Sequence, residues 1–89
     1  PVVPVYDAAI MNPPFSDECG HIRKGFDFLR PGGQLVAICS NRIKWKQQKE
    51  YEQFRDWLAL HTHSITDPPA AKFDHTATPT ITLQIQKAA

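Results

Sequence analysis

The 89-residue chain has no apolar run long enough to cross a bilayer and nothing that resembles a signal peptide. Its two cysteines, Cys19 and Cys39, are too few for a disulfide framework, so a reducing, cytoplasmic setting is expected. A net charge of +1 excludes any general electrostatic pull toward nucleic acid and leaves only local patches to argue from. No repeat or low-complexity tract occurs. No metal is expected either: His61 and His63 form a His-x-His pair and His21 and His75 stand alone, without the carboxylate or cysteine neighbours that a ligand set needs. An initiator Met is missing too. The chain starts at Pro1 directly before an apolar run, and it is short for a complete enzyme domain, so residues 1–89 are expected to be part of a larger one.

What is present reads as alternating strands and helices. Tyr6 to Met11 is an apolar run without alternation, the pattern of a short buried strand, and Pro13 and Pro14 end it because neither can donate to a ladder. Asp7 caps its start. Ser16 and Asp17 are good helix N-caps, and Ile22, Phe26 and Leu29 then recur on one helical face. Arg30-Pro31-Gly32-Gly33 stops that helix in a turn, and Gln34 to Ser40 is a second buried strand, with Cys39 a small core residue. A helix is predicted from Lys46 to His61, with Tyr51, Phe54, Trp57 and Leu58 on one face. Ser64 to Thr66 is a candidate short strand before Asp67-Pro68-Pro69. Thr80 to Lys87 alternates Ile81, Leu83 and Ile85 with polar residues, as a strand covered on one face does. This order predicts an α/β fold with parallel strands, right-handed crossover helices and an antiparallel last strand, which is reached without a helix.

In an open α/β sheet, ligands sit beyond the carboxyl ends of the strands, which is where Asn12-Pro13-Pro14-Phe15 falls. An amine conjugated to a ring is a poor nucleophile because its lone pair is delocalised. Two acceptors facing its hydrogens favour a pyramidal nitrogen whose lone pair points at an electrophile. The Asn12 side-chain oxygen supplies one acceptor and the Pro13 carbonyl, held by the rigid Pro13-Pro14 unit, supplies the other. Phe15 offers a flat surface for the ring. Such acceptors bind more strongly as positive charge develops on nitrogen, so they favour the transition state. The four residues alone equally suit a turn that ends a strand. The strand ahead, the capped helix behind and the second strand after Pro-Gly-Gly favour a site.

The segment Ala9-Ile10-Met11-Asn12-Pro13-Pro14-Phe15 resembles the signature of S-adenosylmethionine-dependent amino-methyltransferases, which include adenine-N6 DNA methylases. The likeness runs from Tyr6 to Ser40, includes Leu29-Arg30-Pro31-Gly32-Gly33-Gln34-Leu35-Val36-Ala37-Ile38, and extends to Phe54-Arg55-Asp56-Trp57-Leu58. In the tail, Phe73, Thr78 and Thr82 fit a family pattern in which Ala77 replaces a glycine. The resemblance implies a Rossmann-like sheet in the order 3-2-1-4-5-7-6, of which this chain would hold the C-terminal half, strands 4 to 7. It also implies S-adenosylmethionine as cofactor, with Asn12 touching it and the catalytic role falling to Asn12, Pro13, Pro14 and Phe15. The glycine-rich loop and ribose-binding acid of that half-site are not in this sequence: Gly32-Gly33 precedes a strand and opens no helix. The chain alone is therefore expected not to bind the cofactor measurably, and to present the edge of its first strand for self-association.

Arg42, Lys44, Lys46 and Lys49 surround Trp45 at the carboxyl end of the second strand. The short charge run suits a solvated helix start; the alternative is a substrate surface in which Lys44 and Lys46 meet phosphates and Trp45 stacks on a base. Cys19 lies near the tetrapeptide, but no His or Asp arrangement supports a nucleophile and direct methyl displacement needs none. Asp17 and Glu18 are expected in a surface loop. The leading functional reading is methylation of a nucleobase amino group, adenine in DNA first, with nucleic acid as partner and no membrane. Alternatives are a ribosomal RNA base, a protein glutamine, or a non-catalytic remnant or interaction module. Amide substrates go with Tyr at the aromatic position, which tilts Phe15 toward a base.

Overall fold

A computed structural model describes residues 6–67 and 79–89. The elements in chain order are β1 (Tyr6–Met11), a 3₁₀ turn (Phe15–Asp17), α1 (Glu18–Asp27), β2 (Leu29–Ser40), α2 (Arg42–Trp45), α3 (Lys49–Leu58), β3 (Thr62–Thr66) and β4 (Thr80–Gln86). The strands form one sheet in the order β1-β2-β4-β3. β1 runs parallel to β2, and β4 runs antiparallel to both β2 and β3. That is the 4-5-7-6 side of the sheet order implied by the resemblance, with the antiparallel last strand in place. The expected Phe73, Ala77 and Thr78 pattern, His75 and Pro68-Pro69 lie outside the described residues.

Both longer helices pack on one face. Leu35, Ala37 and Cys39 of β2 and Ile81, Leu83 and Ile85 of β4 point to that side, where Ile22, Phe26, Tyr51, Phe54 and Leu58 meet them. Burying each large apolar side chain contributes roughly 1.5–3 kcal/mol, so this layer is the main source of stability. The opposite face is open among the described residues: Ile10 is 84% and Ile38 44% exposed. β1 therefore holds no fully buried residue, contrary to the expected buried strand. Its apolar run is covered only where Ala9 and Met11 turn toward the helices. β1 pairs with β2 alone, leaving its other edge free among the described residues.

Four boundaries differ from expectation. α1 ends at Asp27, and Leu29 is buried as the first residue of β2 instead of on the helix face. Arg30 to Gly33 lies inside β2 as an irregularity: β1 passes from Tyr6 to Ala8 while β2 passes from Leu29 to Gln34. A Cβ on Gly33 would stand 2.8 Å from the Arg30 carbonyl oxygen and 2.9 Å from that of Asp7, and Gly32 has φ +84°, so both positions call for glycine. The expected Lys46–His61 helix is shorter, α3 running only from Lys49 to Leu58, and a separate short helix, α2, precedes it. Arg55 donates to the Ile43 carbonyl at 3.0 Å and to the Lys46 carbonyl at 2.8 Å, which satisfies oxygens a continuous helix would have bonded itself. β3 starts at Thr62, two residues before the expected strand.

Candidate functional site

The carboxyl ends of β1, β2 and β3 lie at the same end of the sheet, as their directions require. Asn12 leaves β1 exposed, Pro13 is buried, Pro14 is exposed in an extended conformation, and Phe15 is half-buried at the start of the 3₁₀ turn. Two of the loop's carbonyls are occupied: Asp17 N–H donates to Pro14 O at 3.1 Å, and Arg42 Nη2 donates to Phe15 O at 3.1 Å. No described residue donates to the Pro13 carbonyl. Among the described residues, neither that oxygen nor the Asn12 side-chain amide has a hydrogen-bond partner.

Behind the loop sits a buried polar cluster. Glu18, expected on a surface loop, is 1% exposed. Its carboxylate accepts from Ser40 N–H at 2.7 Å, from Ser40 Oγ at 2.5 Å and from Tyr51 Oη at 2.6 Å. Arg42 Nη2 stands 3.8 Å from the same group. Glu18 is buried because α1 begins directly after the 3₁₀ turn and aims its first side chain at the end of β2. Three donors and a guanidinium offset the cost of removing a carboxylate from water. Burial, then the hydrogen bond to Glu18, push the Tyr51 hydroxyl above its ordinary range. Sequence reading missed this cluster, since its members are spread from position 18 to 51 and only the fold unites them. Asp17 occupies the N-cap position of α1 without a side-chain cap bond and lies 3.5 Å from His21. Ser16 lies within the 3₁₀ turn.

Both thiols are shielded. Burial pushes Cys19 up to about 12, helped by Glu50, Glu18 and Asp17, and pushes Cys39 up to about 12, helped by Glu18. Cys19 is thus a neutral thiol at physiological pH.

The basic tract is brought to the same end of the sheet, but its members separate. Arg42 turns inward to the cluster. Lys44 pairs with exposed Asp67 at 3.2 Å, and Lys46 stands 6.0 Å from the exposed Trp45 ring, whose Nε1 donates to Asn41 Oδ1 at 3.3 Å. His61 packs on Phe26 and Trp57, and His63 bonds back to the His61 carbonyl. Among the described residues, no three His, Cys, Asp or Glu side chains come together around a metal-sized space, and no helix is long and apolar enough to cross a membrane.

A cavity of about 310 Å³ between Gly32, Leu60, His61 and Lys87 is at the other end of the sheet. A further one lies on the sheet face (Gln34, Ser64, Gln84) and another against α1 (Asp17, Gly20, His21, Lys24). None of the three includes the tetrapeptide. Asn12, the residue expected to touch an adenosyl cofactor, is exposed, and none of these three cavities encloses it.

The mixed four-stranded sheet with its helices is a methyltransferase-type fold, shared with solved methyltransferase structures. An rRNA methylase from Streptococcus thermophilus matches with TM-score 0.56 and 19% identity over 99% of this chain and 50% of that one. The O-methyltransferase TomG from Streptomyces achromogenes, involved in tomaymycin synthesis and solved with S-adenosylmethionine, matches with TM-score 0.63 and 14% identity over 99% of this chain and 43% of that one. M1.HpyAVI in complex with S-adenosylmethionine matches with TM-score 0.51 and 18% identity over 92% of this chain and 44% of that one. The chain thus spans half or less of the length of these proteins. No family model matches the sequence, and no curated protein is significantly similar to it.

Proposed function

We propose that this chain is the substrate-side part of an S-adenosylmethionine-dependent N-methyltransferase acting on an exocyclic nucleobase amine, with adenine in DNA as the first candidate. The observation that carries this reading is the pair of unused acceptors, Asn12 and the Pro13 carbonyl, beside half-buried Phe15 at the carboxyl end of β1. When bound, the cofactor would supply an electrophilic methyl group. Within this chain, Asn12 Oδ1 and Pro13 O accept the two amine hydrogens, the rigid Pro13-Pro14 unit fixes their separation, and Phe15 stacks on the base. Positive charge developing on the nitrogen strengthens both bonds, so they lower the barrier more than they tighten ground-state binding. Asn12 would also touch the cofactor; the rest of that site lies outside the described residues.

Duplex DNA would have to present the base flipped out of the stack. Lys46 and Trp45, at the same end of the sheet, would meet a phosphate and a base, with Lys44 contributing once released from Asp67. The fold shared with an rRNA methylase supports a ribosomal RNA base as the second reading. A methyl-transfer assay with the full-length protein tests both: Asn12→Ala should lower the rate at least about a hundredfold, as removal of a transition-state hydrogen bond does. An undiminished rate would refute the role of the loop.

A further inference from the structure

We infer that Arg42 is the positioning residue of the tetrapeptide, tying its carboxyl end to the end of β2 so that the Pro13 carbonyl and the Phe15 ring keep their places. The inference rests on the reading of the loop given above, but its geometry is independent of any substrate. The Arg42 guanidinium has two directed bonds: Nη2 donates to Phe15 O at 3.1 Å and Nε donates to Ser40 Oγ at 3.1 Å. Ser40 is itself fixed, its N–H and Oγ both held by Glu18. The guanidinium carbon stands 6.0 Å from the Phe15 ring centre and 5.9 Å from that of Tyr51, so it is flanked by two rings.

Without Arg42, little would hold Phe15 in place. Pro13 and Pro14 have no N–H to donate, and among the described residues the loop's other bond is the local one from Asp17 N–H to Pro14 O. The planar fork suits this task, because it reaches a backbone carbonyl and a hydroxyl at once, which an ammonium cannot do with the same fixed geometry. Only 30% of the Arg42 side chain is exposed, and it is committed to inward partners. It therefore acts through Phe15 and not through a phosphate, unlike its neighbours Lys44 and Lys46.

Hydrogen–deuterium exchange across residues 12–17 of the full-length protein, wild type against Arg42→Gln, tests the brace without catalysis. Exchange at Phe15 to Asp17 should quicken at least about tenfold while α3 keeps its protection, the pattern of local opening. In the transfer assay the same variant should lower kcat by on the order of ten- to a hundredfold, with KM for the methyl acceptor within about threefold. Arg42→Lys should fall between the two in both readouts, and it replaces Arg42→Gln if that variant does not fold. Unchanged exchange at 12–17, or equal acceleration throughout the protein, would overturn the inference. Faster local exchange in a protein that transfers no methyl group would uphold the brace and overturn the methyl-transfer reading instead.

Discussion

Two neighbouring regions at the carboxyl end of the sheet are built on opposite principles. The tetrapeptide loop after β1 is backed by buried, hydrogen-bonded Glu18, Ser40 and Tyr51, with part-buried Arg42 bonded to Ser40 and Phe15. The tract after β2 holds exposed Lys44 and Trp45, whose side-chain bonds are to exposed partners, Asp67 and Asn41. Directed bonds in a low-dielectric interior fix a shape, whereas solvated charges attract without fixing one. The first region suits placing acceptors around a reacting atom, the second suits meeting a phosphate backbone. A basic residue can serve either purpose, and Arg42 and Lys44, two positions apart, divide between them.

The comparison breaks most readily at Glu18. Glu18→Ala would leave Ser40 N–H, Ser40 Oγ and Tyr51 Oη without their acceptor and Arg42 without its counter-charge. We expect a loss of about 3–5 kcal/mol in urea unfolding. A loss below about 1 kcal/mol would show that the cluster does not hold this end of the sheet. Tyr51→Phe removes a single donor from it and should cost about 1–2 kcal/mol, with the unfolding slope unchanged. On the exposed side, Lys44→Ala should change stability by under about 0.5 kcal/mol. Together with Lys46→Ala it should reduce the salt dependence of nucleic-acid binding by about one slope unit per phosphate contact. An unchanged slope would leave the tract a solvated helix start.

A pH test sharpens the same contrast. Cys19, Cys39 and Tyr51 all have ionisations raised by burial in the folded state, so above their ordinary values the unfolded chain releases protons that the folded chain keeps. Stability should therefore be level up to about pH 9 and fall as pH rises beyond it. Thiol labelling should stay slow at neutral pH until the protein unfolds. Rapid labelling of Cys19 in the folded protein would contradict its burial.

The existence of the strands is legible in the sequence because period and proline stops are local signals, whereas their order in the sheet is what the family resemblance implies. Three features are not legible. The short helix α2 and the start of α3 at Lys49 instead of Lys46 go with Arg55 donating to the Ile43 and Lys46 carbonyls, tertiary bonds that no local pattern announces. The placement of Gly33 within β2 depends on its approach to Asp7 and Arg30, so the glycines that look like a turn permit a strand irregularity. Glu18 reads as a surface residue because a charged side chain beside Ser-Asp usually is one, and the hydrogen bonds it accepts from Ser40 and Tyr51 join positions 22 and 33 residues away. The tetrapeptide itself was visible; the groups that hold it were not.

The central claim is that Asn12 and the Pro13 carbonyl receive a nucleobase amine for methylation. The most direct test offers DNA, ribosomal RNA and protein pools to the full-length protein with labelled S-adenosylmethionine, beside Asn12→Ala. The account predicts label in a nucleic-acid pool, adenine of DNA first, and its loss in the variant with no change in melting temperature. Label that survives Asn12→Ala would contradict the role of the loop, and label in no pool from a folded protein would contradict the account and leave a non-catalytic module as the reading.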